Sequence, residues 1–216
     1  QRVVLFDFHA VALATTFLLF AFYFNLAKKS LPYYLFLVLA LLTKEHVGMV
    51  VGFFGAYLLF VKKEKKTGIL TLLLGGLFFL VSVYFIIPYF RNESHFALKY
   101  FETLGGTPSK VLLNVFIRPR YVFGMILGQD SIDYMIRLIT PAAYAIFSPL
   151  SLLVAVPEWA INTISINPNM RSYYFHYSSL IVPVLFYSLI LGYRNFNKLV
   201  KNKLIKSGVF ALFIIL

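Results

Sequence analysis

Long apolar runs separated by short charged clusters set the pattern of this chain. The first run extends from Ala10 to Ala27 and ends at Lys28-Lys29. The second extends from Leu31 to Thr43 and is broken by Lys44-Glu45-His46. The third covers Val47 to Val61 and stops at Lys62-Lys63-Glu64-Lys65-Lys66, and the fourth covers Gly68 to Pro88. After a mixed stretch over 89–130, apolar character returns at Ile132–Phe147, Pro149–Trp159 and Ser178–Tyr193. A basic stretch, Arg194–Lys206, precedes a last apolar run from Val209 to Leu216. A helix needs about 20 apolar residues to cross a hydrocarbon core of about 30 Å. The pattern predicts an all-α, polytopic transmembrane helix bundle of about 7–8 segments, short helical hairpins included. Residues 1–216 read as one transmembrane domain, with 89–130 as an outer-face loop. The chain begins with Gln1 and stops within an apolar run, so it is expected to be a fragment of a longer protein.

Two arms are short. As helices, Leu31–Thr43 and Val47–Val61 would reach about 20 Å and about 22 Å. Joined as a hairpin, they would hold Lys44-Glu45-His46 at or just below one interface. Joined as one tilted helix of about 46 Å, they would set Lys44 at mid-membrane, where a lysine costs about 2.5–3.5 kcal/mol. The hairpin is the expected arrangement. Within 89–130, Val111–Ile117 followed by Arg118-Pro119-Arg120 predicts a short interfacial helix. Gly105-Gly106-Thr107-Pro108-Ser109 predicts a turn with Ser109 as N-cap. Pro141, Pro149 and Pro157 predict broken or short helices. Gly75-Gly76 reads as a helix-packing site.

Composition supports the membrane reading. The chain is 60% hydrophobic and 13% charged, against about 45–50% and about 25% in soluble domains. A net charge of +12 could indicate nucleic acid, but basic residues in short loops here fit the positive-inside rule, and no nucleic-acid partner is expected. Assigned to the cytoplasmic side, Lys28, Lys29, Lys62, Lys63, Lys65, Lys66, Arg194, Lys198, Lys201, Lys203 and Lys206 carry one acid with them, Glu64. Asp7, Glu45, Glu93, Glu102, Asp130, Asp133 and Glu158 then fall at or near the outer side, with His9, His46, His95 and His176. The groups capable of chemistry gather on one face. The absence of cysteine excludes disulfides and thiolate chemistry.

Three constellations carry the candidate chemistry. Asp7 and His9, flanked by Phe6 and Phe8, could hold a proton or orient a hydroxyl; the alternative is an aromatic interfacial anchor. Lys44-Glu45-His46 places three ionisable residues among apolar ones, with Lys44 suited to a phosphate and Glu45 to orienting it or acting as a base. The alternative is a solvated hairpin tip. Arg171 could clamp a phosphate, with His176-Tyr177 beside it; the alternative is an interfacial belt with Tyr173 and Tyr174. Glu158 beside Trp159 fits either a structural or a functional role. His9, His46 and His176 with Asp7 or Glu45 have metal-binding chemistry, but no HExxH-type spacing is present and no cofactor is expected. Asn92-Glu93-Ser94 fits a glycosylation triplet. There is no Walker loop and no dinucleotide turn.

These landmarks, in order, resemble a family of prokaryotic membrane proteins, domain of unknown function 2079. The matching pieces are Phe6-Asp7-Phe8-His9, Leu41-Leu42-Thr43-Lys44-Glu45, Gly52 through Tyr57, Tyr100 with Leu104-Gly105, Pro149-Leu150, Pro157 through Asn162, and His176-Tyr177. His46 departs from the pattern, where an acid is more usual. That family in turn is similar to type C glycosyltransferases, which take sugars from polyprenyl-phosphate carriers at the outer face. There the usual catalytic acid lies in the first outer loop, before the point where this chain begins. The resemblance implies a prokaryotic plasma-membrane protein with its site on the extracytoplasmic face. Its partners would be membrane lipids and a polyprenyl-phosphate-linked sugar. Asp7, His9 and Glu45 would serve catalysis, and Lys44, Arg171, His176 and Tyr177 would bind substrate and phosphate. A transporter or flippase, and a non-catalytic scaffold, are the alternatives.

Overall fold

The computed structural model describes residues 9–91, 96–172 and 174–202. Every regular element among them is helical. The Asn92-Glu93-Ser94 triplet, Asp7, His95, Tyr173, Lys203 and Lys206 lie outside the described residues.

Helices α1 (Val11–Leu26), α2 (Ser30–Leu41) and α3 (Val47–Ala56) follow the first three apolar runs closely. A π turn, Tyr57–Val61, completes α3. Helix α4 (Lys65–Val81) continues through a second π turn, Ser82–Ile86, into Ile87–Arg91. The stretch Lys65–Phe90, 26 residues, is long and apolar enough to cross a membrane. Val11–Leu26, Ser30–Leu41, Val47–Val61 and Pro149–Ile164 are shorter apolar helices.

The second and third runs form a hairpin, not one tilted helix. Lys28, after α1, makes an ion pair with Glu64, before α4. The far ends of α2 and α3 are therefore held together. Tyr33 of α2 also hydrogen-bonds Thr71 of α4 through their hydroxyls at 2.7 Å. Both lysine turns are tight: Lys28 and Lys63 adopt left-handed φ of 59° and 60°. At the first, Lys29 N–H donates to Phe24 O and Lys28 N–H to Asn25 O, the paired bonds of a Schellman end.

Glycines let α3 and α4 approach closely. A Cβ on Gly55 would stand 2.2 Å from Leu72 N, and one on Gly75 would stand 2.4 Å from Gly52 N. Gly75 is thus the packing residue expected from the Gly75-Gly76 pair, whereas a Cβ on Gly76 meets nothing within 4 Å. Small residues that bring backbones together suit helices whose surroundings are as apolar as their side chains.

The stretch after α4 holds a 3-10 segment (Phe96–Leu104), α5 (Pro108–Ile117) and α6 (Pro119–Ile126). Helix α5 is the short helix expected around Val111–Ile117. Its N-cap is Thr107, not Ser109: Lys110 N–H donates to Thr107 Oγ1 at 3.4 Å, with Pro108 in the first turn. Proline fixes the entry φ and lacks the amide that would go unbonded there, which moves the cap one residue before it.

Then come α7 (Gln129–Ile139), a 3-10 segment (Thr140–Phe147), α8 (Pro149–Leu152), α9 (Val156–Ile164) and α10 (Ile181–Leu199). The three prolines stand in the first turns of these pieces, as their missing amides require. The core gathers Leu18, Phe22, Leu37, Val50, Phe54, Tyr57 and Tyr187 from α1, α2, α3 and α10. Ser151 donates to Ser188 at 2.8 Å and ties α8 to α10 inside that core.

Candidate functional site

The turn between α2 and α3 lies at the end of the bundle opposite the lysine turns. Thr43 to His46 are too polar to prolong either helix within an apolar layer, and Thr43 closes α2 by donating from Oγ1 to Ala40 O at 2.6 Å. Lys44, Glu45 and His46 are half-buried. Lys44 O accepts from Val47 N–H at 3.2 Å, while among the described residues the Lys44 ammonium makes no hydrogen bond or ion pair.

His46 stands between two carboxylates. Its Nδ1 is 3.7 Å from Glu45 Oε1 and its Nε2 is 3.5 Å from Glu158 Oε1. Burial works against a charge on this imidazole. Glu158 and then Glu45 outweigh it, with Lys44 opposing, so protonation of His46 persists above the ordinary range. Glu158 sits in the first turn of α9 and is only 3% exposed. Its Oε2 has no hydrogen-bond partner.

A polar chain leaves this cluster along α9. Asn162, one turn beyond Glu158, donates from Nδ2 to Tyr134 Oη at 3.0 Å and to Tyr177 O at 2.9 Å. Tyr134 is buried and shares a 3.2 Å hydrogen bond with Ser178 Oγ. Next to Tyr177, the His176 ring stacks on His9 with centroids 3.6 Å apart and planes 27° from parallel. Thr15 Oγ1 donates to Ser179 O at 2.7 Å and fixes the start of α1 against this segment.

Of the expected site residues, Lys44 and Glu45 share the hairpin tip, while His9, His176 and Tyr177 share the neighbouring segment. Asn162 and Tyr134 link the two groups. Asp7 lies outside the described residues. Arg171 holds the end of α9. Its Nη1 donates to Ser165 O at 2.7 Å and to Thr163 O at 3.3 Å. These carbonyls end α9, at the opposite end of that helix from Glu158, and a cation suits them. Among the described residues no three His, Asp or Glu side chains form a group that could hold a metal ion.

Asn162 and Tyr134 are not among the expected site residues, and Glu158 fits either a structural or a functional role from the sequence alone. One signal is present in the sequence: an acid inside an otherwise apolar run must be paired or neutral. Its partner is not visible there, because His46 is remote along the chain.

Apolar helices, one of them long and apolar enough to cross a membrane, thus enclose a polar cluster at one end. The chain belongs to the family described as "Predicted membrane protein (DUF2079)", which it matches over residues 1–216. No curated protein and no solved structure matches it.

Proposed function

We propose that this protein is a membrane glycosyltransferase-like enzyme that transfers a sugar from a polyprenyl-phosphate carrier at the extracytoplasmic face. The observation that carries this reading is the gathering of Lys44, Glu45, His46, Glu158, His9 and His176 at the bundle end opposite the Lys28–Glu64 pair. Positive-inside bias turns that end outward, and the apolar segments then cross as about 7–8 helices. The 89–130 stretch lies at the outer interface, where exposed Leu112, Phe116, Tyr121 and Phe123 meet lipid.

Lys44 is the cation available to a carrier phosphate. Transfer of the glycosyl group breaks the bond between its anomeric carbon and the phosphate oxygen, which keeps the electron pair, and forms a bond from that carbon to the acceptor hydroxyl oxygen, whose proton passes to the Glu45 carboxylate. A preorganised ammonium stabilises the developing charge in a site of low dielectric. His9, Glu45, His176 and Tyr177, with Asp7, would position the acceptor hydroxyl. Arg171, committed to α9, supports the site by holding that helix.

Lys44→Ala in the full-length protein should abolish sugar transfer from a polyprenyl-phosphate hexose while leaving the thermal melt in place. Transfer at a normal rate by this variant refutes the assignment.

One observation favours a transporter instead. Glu158 is a buried acid in an apolar helical stretch that tightens to a 3-10 turn at Leu153–Ala155, a feature that ion-coupled carriers also use. A water-accessible path from Glu158 to the lysine-rich end would decide for transport.

A further inference from the structure

Three polar atoms on one turn of α9 are buried without partners: Glu158 Oε2, Asn162 Oδ1 and Trp159 Nε1. Two of them are acceptors. Residues four apart on a helix are neighbours on one face, with side chains within reach of each other. The Asn162 amide cannot turn over to help. Its Nδ2 already donates to Tyr177 O and to Tyr134 Oη, and a carbonyl oxygen cannot serve in that place. Oδ1 must therefore remain the free end. Both are acceptors on one face of α9, and each loses its water by burial.

A single proton resolves both. Added to Glu158 Oε2, it turns that oxygen into a donor for Asn162 Oδ1 and removes the buried charge. We propose that Glu158 and Asn162 form a buried proton-binding site, served by His46, in which the carboxyl is the neutral acid when loaded. The groups facing it are His46, Glu45 and Lys44 from the α2–α3 tip and the Tyr134 phenol from α7.

Loading is a simple transfer. The imidazolium of His46 gives the proton on Nε2 to Glu158 Oε1, 3.5 Å away, and becomes neutral; a half-turn of the carboxyl then sets the protonated oxygen in the Oε2 place, and the half-buried ring regains a proton from water at the tip. In the loaded state Oε2 donates to Asn162, and His46 keeps Glu45 as its carboxylate partner. In the unloaded state Glu158 is ionised and pairs with protonated His46 across 3.5 Å. Each state leaves a different set of charges beside Lys44, so an anion bound there would feel whether the proton is present. The site itself does not depend on sugar transfer.

The experiment uses the full-length protein in lipid nanodiscs. Glu158→Gln is a neutral isostere whose amide can donate to Asn162 as the loaded acid does. At pH 6 it should melt within about 4 °C of the wild type or above it. Infrared difference spectra across a pH titration should show a protonated-carboxyl stretch in the wild type that is lost in Glu158→Gln and moved in Glu158→Asp. A fall in melting temperature on the order of 10 °C in Glu158→Gln, the mark of an ionised partner removed from His46, overturns the proposal. So does failure of Glu158→Gln to fold. A wild-type spectrum with no such stretch that Glu158→Asp moves overturns it as well. Loss of transfer in Lys44→Ala bears on the proposed activity and leaves these outcomes unchanged.

Discussion

His46 concentrates the local electrostatics. Its ring is held between Glu158 and Glu45, which raise its proton affinity despite burial. A group whose pKa is raised on folding stabilises the fold fully below its unfolded value, near 6.5, and loses that contribution as pH rises through the folded value. The melting temperature should therefore fall as pH is raised through the neutral range. His46→Gln should melt with a shallower dependence over the same range. A melting temperature that stays level or rises with pH in the wild type contradicts the pairing. Such pairing is only half legible in the sequence. Glu45 adjoins His46, so a polar tip can be read directly from the pattern. Glu158 reaches the same ring only because α9 packs against the start of α3, a contact that no local pattern encodes. Arg171 shows the converse: a basic residue beside aromatics suggests a phosphate clamp, while its contact with the carbonyls that end α9 has no local signal in the sequence.

Elements are more legible than sites. Helix boundaries follow the apolar runs within a few residues because the lysine clusters that end them cannot be buried. The hairpin can be inferred because the alternative requires a lysine at mid-membrane. The glycine pair in α4 reads as one packing site, yet a side chain would be blocked at Gly75 and not at Gly76. Which face of a helix meets its neighbour depends on crossing geometry, which sequence spacing alone leaves open. Gly75→Ala should lower the melting temperature by several degrees, because its Cβ would strike the Gly52 backbone. Gly76→Ala should match or exceed the wild type, since alanine is the better helix former by about 1 kcal/mol. Equal melting of the two variants would show that α3 and α4 do not pack through Gly75.

At the scale of the whole molecule, topology gathers the chemistry. Helix α1 carries His9 at one end and Lys28 at the other. The α2–α3 hairpin returns the chain to the lysine end, where Glu64 pairs with Lys28. Helix α10 starts beside His176 and ends beyond Arg194 and Lys198. The lysine turns at Lys28 and Lys63 and the acid–imidazole cluster thus occupy opposite ends. The chain contains no cysteine, so single cysteines at positions 44, 176, 28 and 62 can each be probed with a membrane-impermeant thiol reagent in sealed, right-side-out vesicles. Positions 44 and 176 should label from outside, and positions 28 and 62 only after the vesicles are opened. Labelling of 44 and 176 from opposite sides, or of 44 together with 28, would contradict the account.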